Sequence, residues 1–158
     1  MLNGNTTIES LLKELDGFSP SGYALGLHIH VTAPKVLIQT YDKEWMEYYA
    51  EHRMLLSDPT VYWAMTNSGT KRWSELEDQD EGGVLTAAAK FGLVYGALVS
   101  VGDAKSRSLL NSARPDRPHT DEEIERMELI VETLHNRTAD DAFLTDRDKA
   151  VLEKYLTT

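Results

Sequence analysis

Alternation of apolar residues with small or polar ones predicts two pairs of neighbouring β-strands. The period of two is the one expected for strands with one buried face. In the first strand, Ala24 and Gly26 leave room on one face, which a ligand or a helix could fill. The alternating segments are residues 23–31, 36–41, 95–101 and 106–113.

Apolar residues spaced three and four apart predict helices around these strands. Thr6 with Glu9 has the spacing of a capping box, and Gly17 is expected to end the helix that begins there. Thr120 with Glu123 has the same spacing and predicts the start of a long helix ending near residue 136. Further helices are predicted over residues 41–57 and 84–91 and after residue 145. A short strand is predicted over residues 70–73, and an acidic, solvated loop over residues 75–81. This order indicates a mainly antiparallel sheet with helices on both sides.

The segment from residue 41 to residue 73 holds most of the aromatic residues of the chain. Its first half is predicted to be one amphipathic helix. Asp58-Pro59 is expected to end that helix, because the residue before a proline is disfavoured in the α region. Aromatic side chains with polar tips, beside one acid, suit a closed pocket for a small ligand with an apolar body and a few polar atoms. The aromatic residues are Tyr41, Trp45, Tyr48, Tyr49, Tyr62, Trp63 and Trp73.

Composition narrows the classes of function. The length of 158 residues indicates one domain with a sizeable core, and a formal net charge of −10 argues against nucleic-acid binding by this chain alone. There is no cysteine, which excludes disulfides, a thiolate nucleophile and a cysteine-type zinc site. No apolar run has membrane-spanning length and the N-terminus does not resemble a signal peptide, so we expect a cytoplasmic protein with no membrane partner. No nucleophile or phosphate-loop motif supports catalysis, so we expect no enzyme.

An ordered set of motifs resembles the autoinducer-binding domain of LuxR-type quorum-sensing regulators. The motifs are Tyr41-x3-Trp45-x3-Tyr49, Asp58-Pro59-Thr60-Val61, Trp73, the Gly-Leu-x-x-Gly stretch within residues 91–96, and residues 144–152, which resemble the opening of the family's DNA-binding domain. The resemblance implies the α/β class: an α/β/α sandwich with a central, mainly antiparallel five-stranded sheet and helices on both faces. Residues 1–140 would be the ligand-sensing domain. Residues 141–158 would be a linker and the remnant of the first helix of a missing DNA-binding domain.

The resemblance also assigns three polar contacts to an N-acyl homoserine lactone, with no cofactor and no metal. Asp58 would accept a hydrogen bond from the ligand amide N–H; local sequence alone favours a simple Asp-Pro turn, and the family pattern on both sides favours the ligand role. Trp45 would donate to the lactone carbonyl. Tyr41 would donate to the acyl carbonyl. Each role suits the donors and acceptors that the side chain carries.

Four further residues would line the pocket by the same resemblance. Tyr49 and Trp73 would wall it, with a simple aromatic core as the alternative. Thr60 would lie near the ligand amide, or else serve only as a turn residue. Asn111 stands where many family members carry a serine or threonine that hydrogen-bonds the acyl carbonyl, a departure that leaves the identity of the ligand open.

Three hypotheses of function follow. The first is a sensor module that binds an acyl-homoserine lactone, as a homodimer or as a heterodimer with a LuxR-type regulator, and lacks its own helix-turn-helix. The second is a ligand-independent domain that dimerises with a full-length regulator and antagonises it. The third is a small metal-dependent enzyme using His28 and His30, which point the same way on a strand. The simpler interpretation of these histidines is a partly exposed strand face.

Overall fold

A single five-stranded antiparallel sheet lies at the centre of the computed structural model, which describes residues 6–30 and 33–156. The strand order is β2-β1-β5-β4-β3, and every neighbouring pair is antiparallel. The predicted α/β/α sandwich is confirmed. The strands are β1 (Tyr23–His30), β2 (Ala33–Gln39), β3 (Gly69–Arg72), β4 (Tyr95–Gly102) and β5 (Arg107–Arg114).

Six α-helices and three 3-10 helices cover the two faces of the sheet over the described residues. No helix among them is both long enough and apolar enough to cross a membrane. The α-helices are α1 (Ile8–Phe18), α2 (Lys43–Glu51), α3 (Pro59–Thr66), α4 (Val84–Lys90), α5 (Asp121–Arg137) and α6 (Asp146–Leu156). The 3-10 helices are Met54–Ser57, Trp73–Gln79 and Asp141–Phe143.

The first face of the sheet packs against α1, α5 and α6. Alternate residues of β1 point into this core, where Tyr23, Leu25 and Leu27 are fully buried. They meet the apolar stripes of α1 and α5, whose residues recur three and four apart along each helix. Those residues are Ile8, Leu11, Leu12, Leu15, Ile124, Met127, Ile130, Val131 and Leu134.

Capping side chains fix where the helices of this layer begin. The Thr120 hydroxyl accepts from the Glu123 N–H while the Glu123 carboxylate accepts from the Thr120 N–H, as predicted. The capping box predicted at Thr6 is wrong, because Thr7 occupies the cap and accepts from the Ser10 N–H. The first helix also runs one residue past Gly17, to Phe18.

The predicted single helix over residues 41–57 is wrong. Helix α2 ends at Glu51, and Arg53 takes a left-handed conformation with φ of 51° before the 3-10 turn Met54–Ser57. Asp58 and Pro59 begin α3 instead of ending α2: Asp58 accepts from the Thr60 N–H as N-cap, and proline is favourable at the first helical position. Leu55 and Leu56, which a continuous helix would place on the same face as Trp45, are 60% and 84% exposed.

A β-bulge interrupts the alternation predicted for residues 23–31, of which Val31 lies outside the described residues. The pairing of β1 with β5 shifts between Gly26 and Ile29, and His28 has a φ of 53°. His28 is only 6% exposed and stacks on His135 of α5, with ring centroids 4.3 Å apart. The predicted partly exposed face is therefore wrong for His28, and Ile29 turns towards the second face of the sheet.

Residues 75–81, predicted as a solvated loop, fold largely as the 3-10 helix Trp73–Gln79. Leu76 is fully buried in a second core cluster that also contains Trp45 and Trp73. Asp80 then accepts from the Val84 and Leu85 N–H groups and starts α4. This cluster holds α2, α3 and α4 against the second face of the sheet and leaves a cavity between them.

Candidate ligand-binding site

A cavity of about 1020 Å³ lies between the second face of the sheet and the layer formed by α2, α3, α4 and the 3-10 turns. Ligand sites for drug-sized molecules usually have volumes of roughly 300–1,000 Å³, so the space suits a substantial organic molecule. Ala24 and Gly26 form part of its floor, on the face that the sequence predicted to be roomy. Because Ala24 has only a methyl group and Gly26 has no side chain, the groove above β1 stays open.

All seven residues that the sequence analysis assigned to a ligand line this one cavity. Tyr41 precedes α2, and Trp45 and Tyr49 follow at intervals of four residues, so the three share the side of the segment that faces the sheet. Of the other four, Asp58 caps α3, Thr60 lies in the first turn of α3, Trp73 begins the 3-10 helix Trp73–Gln79, and Asn111 lies on β5. The seven are Tyr41, Trp45, Tyr49, Asp58, Thr60, Trp73 and Asn111.

Two glycines allow the aromatic side chains to approach the sheet. Gly22 has a φ of 103°, and a Cβ there would lie 2.8 Å from the Tyr41 Cα. Trp73 lies against Gly96, where an added Cβ would overlap the indole ring. A larger residue at Gly22 would therefore displace Tyr41, and a larger residue at Gly96 would displace Trp73.

A chain of hydrogen bonds connects five of the seven residues. The Trp73 indole N–H donates to Asn111 Oδ1 over 2.8 Å, and Asn111 Nδ2 donates to Thr60 Oγ1 over 3.1 Å. The Thr60 hydroxyl donates to Asp58 Oδ1 over 2.7 Å, and the Thr60 backbone N–H donates to the same oxygen over 2.9 Å. The Tyr49 hydroxyl donates to Asp58 Oδ2 over 2.7 Å. These bonds orient the carboxylate and the amide before any ligand binds.

The network leaves a small number of polar positions unused. A carboxylate has about four acceptor sites, and Asp58 uses three of them, so Oδ2 retains one. The Asn111 amide nitrogen carries two hydrogens and uses one. Trp45 is buried, with 5% of its surface exposed, yet its indole N–H donates to no group among the described residues. These three residues thus offer one acceptor and two donors, and the side chains of Gln39, Ser57 and Gln79 also line the cavity.

Tyr41 is the exception among the predicted donors. Its hydroxyl already donates to the Asn111 backbone oxygen over 2.8 Å. Burial and the negative charge of Asp58 raise the pKa of the Tyr41 hydroxyl and of the Tyr49 hydroxyl above its usual range. Both tyrosines therefore remain protonated, as donors or acceptors of hydrogen bonds and not as anions.

The polar groups lie at one end of an otherwise apolar cavity. The row Gln39–Ala24–Asn111 crosses β2, β1 and β5, and the next row that lines the cavity, Leu37–Gly26–Leu109, is entirely apolar. The arrangement can hold an elongated molecule with a polar head and a hydrocarbon body. Over the described residues there is no group of three side chains suited to a metal ion.

Several lining residues were not found by sequence reasoning. Helix α3 was missed, so Met65 was not placed at the cavity, and Tyr62 was named with the pocket aromatics but not among the seven residues assigned to the ligand. Ile29 was assigned to the opposite face because a period of two cannot reveal a bulge. Ala24 and Gly26 were the residues in the sequence that pointed to this part of the floor.

Comparisons with known proteins agree with this architecture. A family model described as the autoinducer binding domain matches residues 7–138. CepR2 from Burkholderia cenocepacia, a LuxR-family factor described as N-acylhomoserine lactone dependent, has a similar structure: the TM-score is 0.61 at 20% identity, covering 85% of this chain and 89% of that one.

Structures of SdiA are similar as well. SdiA of Escherichia coli gives a TM-score of 0.65 at 21% identity, covering 90% of this chain and 66% of that one. SdiA in complex with octanoyl-rac-glycerol gives 0.63 at 21%, covering 90% and 64%. At these identities the likeness shows the shared fold. No curated protein sequence matches this chain significantly.

Proposed function

The chain belongs to the family of autoinducer-binding domains of LuxR-type regulators, and we propose that it is a sensor module that encloses an N-acyl homoserine lactone. One observation carries the proposal: one unused acceptor position on Asp58 and one unused donor each on Trp45 and Asn111 lie in a mainly apolar cavity. An acyl-homoserine lactone presents one amide N–H and two carbonyl oxygens, together with a hydrocarbon tail. Its polar groups match the unused positions in number and in kind.

The head group can be placed without breaking the internal network. The ligand amide N–H donates to Asp58 Oδ2, and the Trp45 indole N–H donates to the lactone carbonyl. The second hydrogen of Asn111 Nδ2 donates to the acyl carbonyl. Tyr41 could take that last role only by giving up its bond to the Asn111 backbone oxygen, so Asn111 is the better donor.

Two relatives support an amphipathic ligand. CepR2 is described as dependent on N-acylhomoserine lactone, and one SdiA structure contains octanoyl-rac-glycerol. Both molecules join a compact polar head to an acyl chain, which is the shape that the cavity of this chain accommodates.

Calorimetric titration of the purified protein with an N-acyl homoserine lactone tests the proposal. We expect saturable binding, and much weaker binding of the ring-opened acyl-homoserine, whose carboxylate would be placed close to the Trp45 and Asp58 end of the cavity. Thermal stabilisation gives a second readout, because a ligand at 100 times its Kd adds about 2.7 kcal/mol to the free energy of unfolding. No binding by well-folded protein would refute the proposal.

Asp58→Asn tests the head-group assignment. A hydrogen bond to a charged group contributes about 1.5–3 kcal/mol, so the Kd should rise by about 10- to 100-fold. Asp140→Asn is a matched control, because Asp140 also accepts a 2.9 Å hydrogen bond from the N–H two residues on, far from the cavity. Unchanged affinity in Asp58→Asn would show that the head group lies elsewhere.

We also propose the remaining organisation on the same basis. Residues 1–140 form the sensing domain, which is cytoplasmic and dimerises with a second copy or with a related regulator. Residues 141–158 form a linker and the first helix of a DNA-binding domain. In the described part of this segment, Val151 and Leu152 of α6 are buried in the core shared with α1, so this helix docks on the sensing domain.

A further inference from the structure

We infer that the signal carries a long acyl chain of about twelve carbons, which lies in a channel above β1 and ends at Ile29. This inference rests on the proposed function, because it concerns the tail of the same ligand. It assigns tail-length selection to Gly26, Ile29, Leu56 and Tyr62, none of which contacts the head group in the arrangement above.

The register of the sheet gives the length of the channel. Ala24 pairs with Asn111 at the polar end, and Ile29 pairs with Pro34 at the far end. Five residue steps separate Ala24 from Ile29, which corresponds to roughly 16 Å at about 3.3 Å per residue. Carbon–carbon bonds of about 1.5 Å in an extended chain advance about 1.3 Å per carbon. The distance therefore matches about twelve carbons.

The floor of the channel is apolar and shallow. Gly26 has no side chain, and the Ile29 side chain reaches back beside it: a Cβ on Gly26 would lie 3.1 Å from Ile29 Cδ1. The bulge at His28 turns Ile29 to this face. Ile29 thus stands where the groove over β1 ends, and Leu37 and Leu109 flank the groove on the neighbouring strands.

Three apolar side chains that line the cavity are exposed to solvent. Leu37, Leu56 and Tyr62 line the cavity but are 44%, 84% and 70% exposed. Exposed apolar side chains around the opening of a pocket mark a surface that a ligand covers. A chain of about twelve carbons covers more of this apolar surface than a short tail does. The exposed apolar lining therefore favours the long chain.

A series of unsubstituted lactones with even tails from four to sixteen carbons tests this inference by calorimetry. Each buried methylene should lower the Kd about fourfold, the factor that corresponds to the transfer of one CH₂ from water. We expect this gain up to about twelve carbons and little beyond. An optimum at eight carbons or fewer would overturn the inference while leaving the proposed function intact. If no lactone of any length binds, the proposed function fails and the inference with it.

Two variants locate the tail. Gly26→Val fills the channel and should move the optimum to a shorter tail with little change for the four-carbon lactone. Leu56→Ser alters an exposed side chain, so the fold should survive, and it should weaken only the lactones of ten carbons or more. Gly17→Ala, whose added methyl group meets nothing within 4 Å, is the control. Equal losses at every tail length in Leu56→Ser and Gly26→Val would overturn the inference.

Discussion

Asp58 stabilises the unliganded domain as well as the proposed ligand, and two substitutions separate these effects. Asp58→Ala removes the N-cap of α3, which costs about 1 kcal/mol. It also leaves the hydroxyls of Thr60 and Tyr49 without their acceptor, at about 1 kcal/mol each. The free energy of unfolding should therefore fall by about 3 kcal/mol. Asp58→Asn keeps a capping oxygen and should cost only about 1 kcal/mol.

Urea denaturation of the unliganded protein measures both changes. A loss of 3 kcal/mol should also lower the Tm by roughly 6–12 °C in a domain of this size. Asp140→Ala is the matched control, because it removes the same type of cap from an exposed 3-10 turn where no hydroxyl depends on the carboxylate. If Asp58→Ala destabilises the protein no more than Asp140→Ala does, the hydrogen-bond network does not contribute the stability assigned to it.

Three other perturbations have defined outcomes. Trp45→Phe should weaken lactone binding about tenfold in calorimetry with little change in the free energy of unfolding, because the Trp45 indole N–H donates to no described group. Trp73→Phe should instead lower both the affinity and the free energy of unfolding, because the Trp73 indole N–H donates to Asn111. Burial and the nearby Arg114 lower the pKa of His119 from 6.5 to about 4. The fold therefore favours neutral His119, and about 3 kcal/mol of the free energy of unfolding should be lost as the pH falls from 6.5 towards 4. Urea denaturation at several pH values measures this loss, and the same pH dependence in His119→Gln would contradict the assignment. Gly22→Ala should lower the Tm by several degrees, since φ there is 103° and the methyl group would meet the Tyr41 backbone, whereas Gly17→Ala should not.

The strand pairs and the long helix α5 could be predicted because their signals are local. Four segments alternate with a period of two, and the Thr120 capping box identifies the start of α5 without reference to the rest of the fold. The Asp58-Pro59 pair was misjudged because the same two residues can end one helix or begin the next. Here the side chain of Asp58 accepts from the Thr60 N–H, and that bond decides in favour of a beginning.

The bulge in β1 could not be predicted, because its cause is distant in the chain. His28 stacks on His135, and its Nε2 lies 2.8 Å from the His135 backbone oxygen, 107 residues away. Because of this contact, His28 is buried in the core of the first face, although strict alternation would place it on the opposite face. Ile29 therefore points to the second face of the sheet. For the same reason, only the resemblance to a family could assign the cavity residues to one site. Trp73 and Asn111 form a hydrogen bond but are 38 residues apart, and no local pattern in the sequence connects them.

Asn111 shows why a departure from the family pattern need not remove a ligand contact. A serine hydroxyl has one hydrogen, so it could donate to Thr60 or to an acyl carbonyl but not to both. The asparagine amide accepts from Trp73, donates to Thr60 and retains a second hydrogen for the ligand. The larger side chain therefore stabilises the unliganded network and still presents a donor. The same geometry restricts the ligand, since a molecule without an acceptor at this position would leave that N–H unpaired in the cavity, at a cost of about 1–3 kcal/mol.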